Sequence, residues 1–180
     1  MKKEVKKYEL TTETKVNLLG KTLFRIKALI SFGGVRIGDL GGWIEKEENL
    51  NQSGNAWVYG DAEVYGNARV SGNARVYGDA EVSGNARVYG NAEVSGDARV
   101  YGNADYTTIS GFGTKFRTTT FFRCKDKAVR VACGCFFGTI EEFRTQVKNT
   151  RKGKIAEEYL MIADLMEKHF EREERNGDEE

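Results

Sequence analysis

Valine and alanine recur at fixed positions in an uninterrupted six-residue repeat that fills residues 58–105. Each hexapeptide has valine first, glycine third, Asn or Asp fourth and alanine fifth, as in VYGDAE and VSGNAR. An α-helix would need a period near 3.6, so a period of six indicates a short strand followed by a corner. Glycine followed by Asn or Asp suits that corner, because these residues tolerate positive φ. The pattern predicts a β-solenoid with valine and alanine inside.

A second, longer period lies within the first. The fourth position holds Asp at Asp61, Asp79 and Asp97, which is every third hexapeptide, and holds Asn in all the others from Asn55 to Asn103. Three hexapeptides make one coil of three sides, and coils stack at the strand spacing of about 4.8 Å. The chain is therefore predicted to wind as a triangular prism.

The repeat extends backwards in a weaker form. Leu40, Gly42 and Ile44 fit the first, third and fifth positions of a hexapeptide one full coil before the regular repeat, and Leu50 fits another fifth position. This frame predicts an irregular first coil over residues 40–57. The predicted β-helix then covers residues 40–105.

The flanks have other patterns. Residues 8–31 predict a β-hairpin turning at 17–21, which would cover the first coil as a cap over residues 1–39. After the repeat, residues 118–124 and 128–133 predict a second hairpin. Thr139 and Glu142 form a capping box that starts a helix running to about Lys148, and residues 154–172 have a helical apolar stripe. Residues 106–180 are thus a small C-terminal α+β unit, and the fold class is mainly β.

The repeat resembles the left-handed parallel β-helix of hexapeptide acyltransferases, which implies the same hand here. More of the chain, roughly residues 8–170, resembles a group of phage and prophage proteins. The matching segments are LGGWIE (40–45), the YGDA and SGNA hexapeptides, TTFFRCKD (119–126), CGCF (133–136), GTIEEF (138–143) and EYL (158–160). The resemblance implies a phage-encoded protein acting in the host cytoplasm, with no established activity to carry over.

Composition agrees with a cytoplasmic protein. The chain has 28 basic and 27 acidic residues, and no run of about 18 apolar residues that would cross a membrane. Its lysine-rich start lacks the apolar run of a signal peptide. Three cysteines and no export signal fit reduced thiols. No membrane association is expected.

The outward positions sort into different faces. An acidic face carries the Asp column with Glu63 and Glu81, and a basic face carries Asn67, Asn85 and Asn103 with arginines. Acidic and basic faces of neighbouring copies would meet, and a 120° rotation would close them into a homotrimer with tyrosines at the seam. The alternatives are a solvated acidic corner with an exposed tyrosine stripe, or a bound divalent cation. The predicted interface comprises Asp61, Asp79, Asp97, Glu63, Glu81, Arg69, Arg87, Tyr59, Tyr65, Tyr77 and Tyr101.

Catalytic chemistry is not indicated. Hexapeptide acyltransferases use a histidine base and γ-class carbonic anhydrases use three histidines for zinc, whereas this chain has His169 alone. Cys124, Cys133 and Cys135 lack a CxxC spacing and are interpreted as small buried side chains. No catalytic residue, metal site or cofactor is predicted, and the chain is not expected to be an enzyme.

A basic stretch follows the repeat. Residues 115–154 contain eleven Lys or Arg and three Asp or Glu. On the second predicted hairpin, basic residues alternate with Phe116, Phe121 and Phe122, a pattern that can contact phosphates and stack bases. Ordinary hairpin packing is the favoured interpretation, and nucleic-acid or nucleotide binding is the alternative. The residues of that alternative site are Arg117, Arg123, Lys125, Lys127 and Arg130.

Three functions follow from these observations. The first is a non-enzymatic binding protein that holds a host protein or a small ligand, as a phage counter-defence factor would when it inhibits or sequesters a host component. The second is a structural or assembly scaffold. The third is nucleic-acid or nucleotide binding through the basic hairpin.

Overall fold

The computed structural model describes residues 5–172 and is mainly β, with two helices near the end of that range. The chain divides into two compact units between Asn103 and Ala104. The first contains the N-terminal hairpin and the solenoid. The second contains a sheet and both helices. The predicted β-solenoid is confirmed.

The first unit begins with the predicted hairpin. Strand β1 (Tyr8–Val16) pairs antiparallel with β2 (Thr22–Ala28), and the Asn17 side chain holds the turn by accepting the backbone N–H groups of residues 19 and 21, both at 3.0 Å. Strand β2 also pairs antiparallel with β3 (Leu40–Ile44), which is the first strand of the solenoid. The hairpin thus extends one side of the solenoid at its first coil.

Eight two-residue strands and a short 3₁₀ helix (Glu47–Asn49) build the coils. Strands β3, β5, β8 and β11 share one side, β4, β7 and β10 a second, and β6 and β9 a third, all in parallel. From β4 to β8 each strand pairs with the third strand after it, so the three-sided coil is confirmed. The left-handed winding stays a prediction. The strands are β4 (Trp57–Val58), β5 (Glu63–Val64), β6 (Arg69–Val70), β7 (Arg75–Val76), β8 (Glu81–Val82), β9 (Arg87–Val88), β10 (Glu93–Val94) and β11 (Arg99–Val100).

Valine and alanine fill the prism as predicted as far as Val100, whereas Ala104, the last predicted inward alanine, is exposed in a 3₁₀ helix (Asn103–Asp105). The repeat valines from Val58 to Val100 and the repeat alanines from Ala62 to Ala98 are fully buried. Backbone N–H groups donate to the next coil, for example from residue 63 to the Ala80 carbonyl at 2.9 Å. Asparagine side chains add a ladder of amide hydrogen bonds, with Asn73 donating to Asn91 at 2.9 Å. Every coil is therefore bonded to the next by backbone and side chains.

The predicted frame of the first coil is wrong. Ile44 lies opposite Val64 and Leu50 opposite Val70, so each of these pairs is two positions further apart than the partners of a regular coil. Both residues therefore occupy first positions, and the chain has two extra residues before β4. Leu40 lies outside the core, with 53% of its surface exposed, because it pairs with Lys27 of β2. Residues 40–44 therefore match the repeat in sequence but take a different register, in which β3 pairs with β2 as well as with β5.

The second unit is a four-stranded antiparallel sheet followed by two helices. The predicted hairpin is confirmed as β13 (Arg117–Arg123) and β14 (Val129–Cys133). Strands β12 (Tyr106–Phe112) and β15 (Phe136–Thr139) extend the sheet on either side, and neither was predicted.

The predicted helices are also confirmed. Helix α1 (Ile140–Thr150) begins with the capping box, in which Glu142 N–H donates to the Thr139 hydroxyl at 3.1 Å. Helix α2 (Gly153–Arg172) follows at once. Both helices pack against the sheet around Phe121, and the rings of Phe143 and Tyr159 meet edge to face, 5.8 Å apart.

Candidate functional site

The predicted acidic face contains two kinds of carboxylate. Asp61, Asp79 and Asp97 stand exposed along one corner of the solenoid. Glu63 and Glu81 are half-buried and are paired within the chain: Glu63 with Lys15 at 2.8 Å, and Glu81 with Arg99 at 3.0 Å. The two glutamates therefore already have cationic partners, and the aspartates form the part of this face that is open to an outside cation.

Tyr65 does not belong to an exposed seam. It is buried against Leu23 and Trp43, and its hydroxyl donates to Glu81 at 3.2 Å. Burial raises the pKa of Tyr65 to about 12. The prediction that Tyr65 lies at an interface is wrong, because Leu23 of the hairpin and Trp43 of β3 cover its ring. Tyr59 and Tyr77 are half-buried, and Tyr101 is 51% exposed.

The predicted basic face is a groove of about 380 Å³ on the solenoid. Arg69 and Arg87 lie one above the other on β6 and β9, and Arg87 N–H donates to the Asn103 side chain at 2.9 Å. Two like charges one coil apart repel each other, and Glu48 is the one carboxylate among the lining residues of the groove. Lys46 also lines this groove beside Arg69 and Arg87, and it was not among the predicted residues because the two extra residues before β4 shift the register of the first coil. We call this surface the basic groove, and its lining residues are Lys46, Glu48, Asn67, Ala68, Arg69, Asn85, Arg87 and Asn103.

The predicted nucleic-acid hairpin does not assemble as a site. Phe121 and Phe122 are fully buried, so neither ring can stack on a base. The Arg123 guanidinium donates to the Phe170 carbonyl at 2.6 Å, and Arg130 pairs with Asp126 at 2.6 Å. The favoured interpretation, ordinary hairpin packing, therefore agrees with the structure, and stacking of bases on Phe121 and Phe122, which the alternative required, is ruled out by their burial.

The remaining basic residues of that hairpin separate. Lys125 and Lys127 are exposed near its turn, where Lys127 has a positive φ of 64°. Arg117 lies at the start of β13, beside Lys115 and Arg151. Arg123 and Lys127 line one pocket together with Glu141, Glu167 and Glu171, so that their charges are balanced there. Arg117 lines another pocket with Lys115 and Arg151, two cations that were not part of the predicted site.

The cysteines and the histidine differ in exposure. Cys124 is buried as predicted, but Cys133 is half-buried and Cys135 is exposed. His169 is exposed on α2. Within residues 5–172, no group of three or more His, Cys, Asp or Glu side chains is arranged to hold a metal ion. None of the helices described in that range is long and apolar enough to cross a membrane.

Comparison with known proteins identifies the repeat. A family model described as YdcK beta solenoid repeat matches residues 62–78, 68–82 and 80–96, all inside the regular coils. A search of curated proteins finds no match. The coils over residues 62–96 are thus similar to the repeats of a β-solenoid family, while the groove residue Lys46 and the whole second unit lie outside the match.

Proposed function

We propose that the protein is a non-enzymatic binding protein that acts through the basic groove of its solenoid. The observation that carries the proposal is the stacking of Arg69 over Arg87 beside a row of asparagines. Guanidinium groups make short, strong hydrogen bonds to carboxylates, and side-chain amides add uncharged donors. This set of groups suits binding of an acidic surface better than it suits proton transfer.

The acidic surface that fits the groove best is the Asp column of a second copy. Both columns place one residue on each successive coil, so Asp61 and Asp79 of one copy match the spacing of Arg69 and Arg87 of the next. The two columns lie on different faces of one chain, which makes the contact heterologous, and a threefold rotation closes it. We therefore include a homotrimer in the proposal.

In such a trimer the Asp column and the basic groove are occupied by neighbouring copies, and the other surfaces of each chain are available to bind a partner. The resemblance to phage proteins suggests a host component as that partner, which a counter-defence factor would inhibit or sequester. A scaffold is the second candidate function. It is favoured by the continuous backbone hydrogen bonding from coil to coil, which makes the solenoid stiff along its axis.

The oligomeric state tests the proposal. Native mass spectrometry and sedimentation at micromolar concentration should show a trimer for the wild-type chain. The double variant Arg69→Glu/Arg87→Glu reverses the charge of the groove and should be monomeric. Arg75→Glu is the matched control, because Arg75 occupies the same repeat position on another side, with 51% of its side chain exposed. This control should remain trimeric.

Two results would contradict the assembly. One is a wild-type monomer under these conditions, and the other is a double variant that associates as the wild type does. Purification of the trimer from cells then separates the two candidate functions. A host protein or small molecule retained in stoichiometric amount supports binding, and a trimer without one supports the scaffold.

A further inference from the structure

The second unit has a pocket in which three cations converge. Its volume is about 350 Å³, and its lining contains no carboxylate. We call it the cationic pocket. Its lining residues are Thr114, Lys115, Arg117, Cys133, Arg151 and Tyr159.

Two segments of the chain, the β12–β13 hairpin and the end of α1, bring the cations together. Lys115 lies in the turn between β12 and β13, which is tight enough to hold Phe116 at a positive φ of 48°. Arg117 begins β13 and lies over Gly134, where a Cβ atom would overlap its guanidinium. Arg151 ends α1, and its N–H donates to the Val147 carbonyl at 2.8 Å. The separation of Arg151 from Lys115 and Arg117 along the chain does not indicate that the three cations lie together.

The cations of the pocket differ from the other arginines of the unit in their partners. Arg144 is surrounded by carboxylates, with Asp164 at 2.8 Å and Glu167 at 2.7 Å. Within residues 5–172, Lys115, Arg117 and Arg151 form no ion pair with a carboxylate. Their charges therefore add to a positive potential inside a concave surface, which raises the local concentration of anions.

Tyr159 is a buried residue that lines the cationic pocket. Its hydroxyl donates to the Phe112 carbonyl at 3.3 Å. Burial raises the pKa of the Tyr159 phenol, and the Glu158 carboxylate adds to the rise, while the positive charges of Arg151 and Arg117 oppose it. Both guanidinium groups are thus close enough to the ring to act on it electrostatically.

An apolar cavity of about 180 Å³ continues from the cationic pocket. The two share Arg117, Cys133, Arg151 and Tyr159, and the cavity is lined further in by the rings of Phe136 and Phe143 and by the amide of Gln146. A cluster of cations beside an aromatic cavity fits a molecule with a charged end and a flat ring. Pockets that bind small molecules have volumes of about 300–1,000 Å³, a range that includes the cationic pocket.

We propose that this pocket binds a nucleoside phosphate. The phosphates contact Lys115, Arg117 and Arg151, and the base enters the cavity beside Phe136, where Gln146 can donate to or accept from its edge. This site is independent of the basic groove, because every lining residue lies in the second unit. Loss of the trimer would leave the proposal standing, and loss of nucleotide binding would leave the trimer standing.

Calorimetry with the full chain tests the site. The probes are ATP, GTP, CTP and UTP, with inorganic tripolyphosphate and free adenosine as the two partial ligands. At least one nucleotide should bind, tripolyphosphate should bind at least ten-fold more weakly, and adenosine should not bind. If no nucleotide binds at millimolar concentration, the proposal is wrong. If tripolyphosphate binds as tightly as the best nucleotide, the nucleoside part of it is wrong.

Variants then locate the binding. Lys115→Gln and Arg151→Gln remove exposed charges, and each should weaken the nucleotide about ten-fold or more, since a hydrogen bond to a charged group contributes about that much. Lys125→Gln removes an exposed charge of the same unit outside the pocket and should leave affinity unchanged. Retained affinity in both pocket variants would overturn the assignment.

Thiol labelling gives a second readout. Cys135 is exposed and lines the adjoining cavity, whereas Cys124 is buried. Bound nucleotide should slow the alkylation of Cys135 in the native protein. An alkylation rate that does not change at saturating nucleotide would place the ligand elsewhere and overturn the proposal.

Discussion

The two units of this chain have cores of opposite kinds. The solenoid fills its interior with valine and alanine, and backbone hydrogen bonds join each coil to the next. The second unit fills its interior with aromatic rings, among them Phe121, Phe143 and Tyr159, which meet edge to face. The first core owes its order to a repeated backbone, and the second to the fit of particular side chains.

The contacts of the two units also differ in how they relate to sequence distance. In the regular coils every pairing joins residues three hexapeptides apart, so one period describes them all. In the second unit Arg123 bonds to Phe170, and Arg144 to Asp164, at separations of 47 and 20 residues. No periodicity in the sequence predicts these pairs. A repeated fold can thus be predicted from sequence where a unit built on side-chain fit cannot.

The largest expected effect tests the aromatic core. Phe121→Ala removes a fully buried ring that packs against Phe143, and should lower the free energy of unfolding of the second unit by about 4 kcal/mol. Phe116→Ala is the control, because that ring is 73% exposed and its loss should change stability little. Hydrogen exchange measured by mass spectrometry should locate the loss of protection. Equal loss across the solenoid coils would contradict a division into two cores.

The sequence predicted the coils, both hairpins and both helices, and it missed parts of the fold for physical reasons. Residues 40–44 have the residue pattern of the repeat, but β3 pairs with β2 and its register differs by two residues from that of a regular coil. Strand β12 contains Ser110 and Gly111, which favour turns in isolation, and it forms because β13 offers it a paired edge. Both errors concern segments whose conformation depends on a neighbour that sequence spacing does not reveal.

The next effect in size separates two corners of the solenoid. Gly84 and Gly90 hold the same repeat position with positive φ of 59° and 68°. A Cβ at Gly84 would overlap the Tyr101 carbonyl, whereas a Cβ at Gly90 meets nothing within 4 Å. Gly84→Ala should therefore cost about 3 kcal/mol, through clash and backbone strain together. Gly90→Ala should cost about 1 kcal/mol, from backbone strain alone.

Thermal and urea unfolding of these two variants measures the difference. Equal losses would mean that the corner conformation alone limits stability and that the next coil can move aside. A larger loss at Gly84 would show that coil stacking is rigid, as expected of a core set by backbone contacts.

The residues of the candidate sites also differ in whether they could be predicted from the sequence. The acidic column and the arginines of the basic groove could be predicted from the repeat, because outward positions follow the period. Glu63 was already paired with Lys15, and Tyr65 was covered by Leu23, because residues of the hairpin reach over the first side, whereas Glu81 was paired with Arg99 of the next coil. The cationic pocket could be predicted only in part, because Lys115 and Arg117 lie two residues apart whereas Arg151 is distant along the chain. Lys115, Arg117 and Arg151 belong to segments that meet only after the sheet and α1 have packed.

The smallest effect concerns the place where the irregular hairpin meets the repeat. Lys7 is buried there, and its ammonium donates to the Ala56 carbonyl at 2.9 Å and lies 5.0 Å from the Phe32 ring centre. Burial lowers the pKa of Lys7 from 10.5 to about 8. Between these two values the unfolded chain binds more protons than the folded chain, so stability rises with pH in that window.

The rise should amount to about 2 kcal/mol between about pH 8 and pH 10. The upper limit is set by Tyr8, whose raised pKa has the opposite effect once tyrosines of the unfolded chain ionise. Lys7→Met keeps the apolar part of the side chain and removes the titrating group, so the rise should vanish in that variant. Urea unfolding of both proteins across this window checks it. Parallel pH profiles would mean that the Lys7 ammonium is hydrated, and that the hairpin covers the first coil less tightly than the coils cover one another.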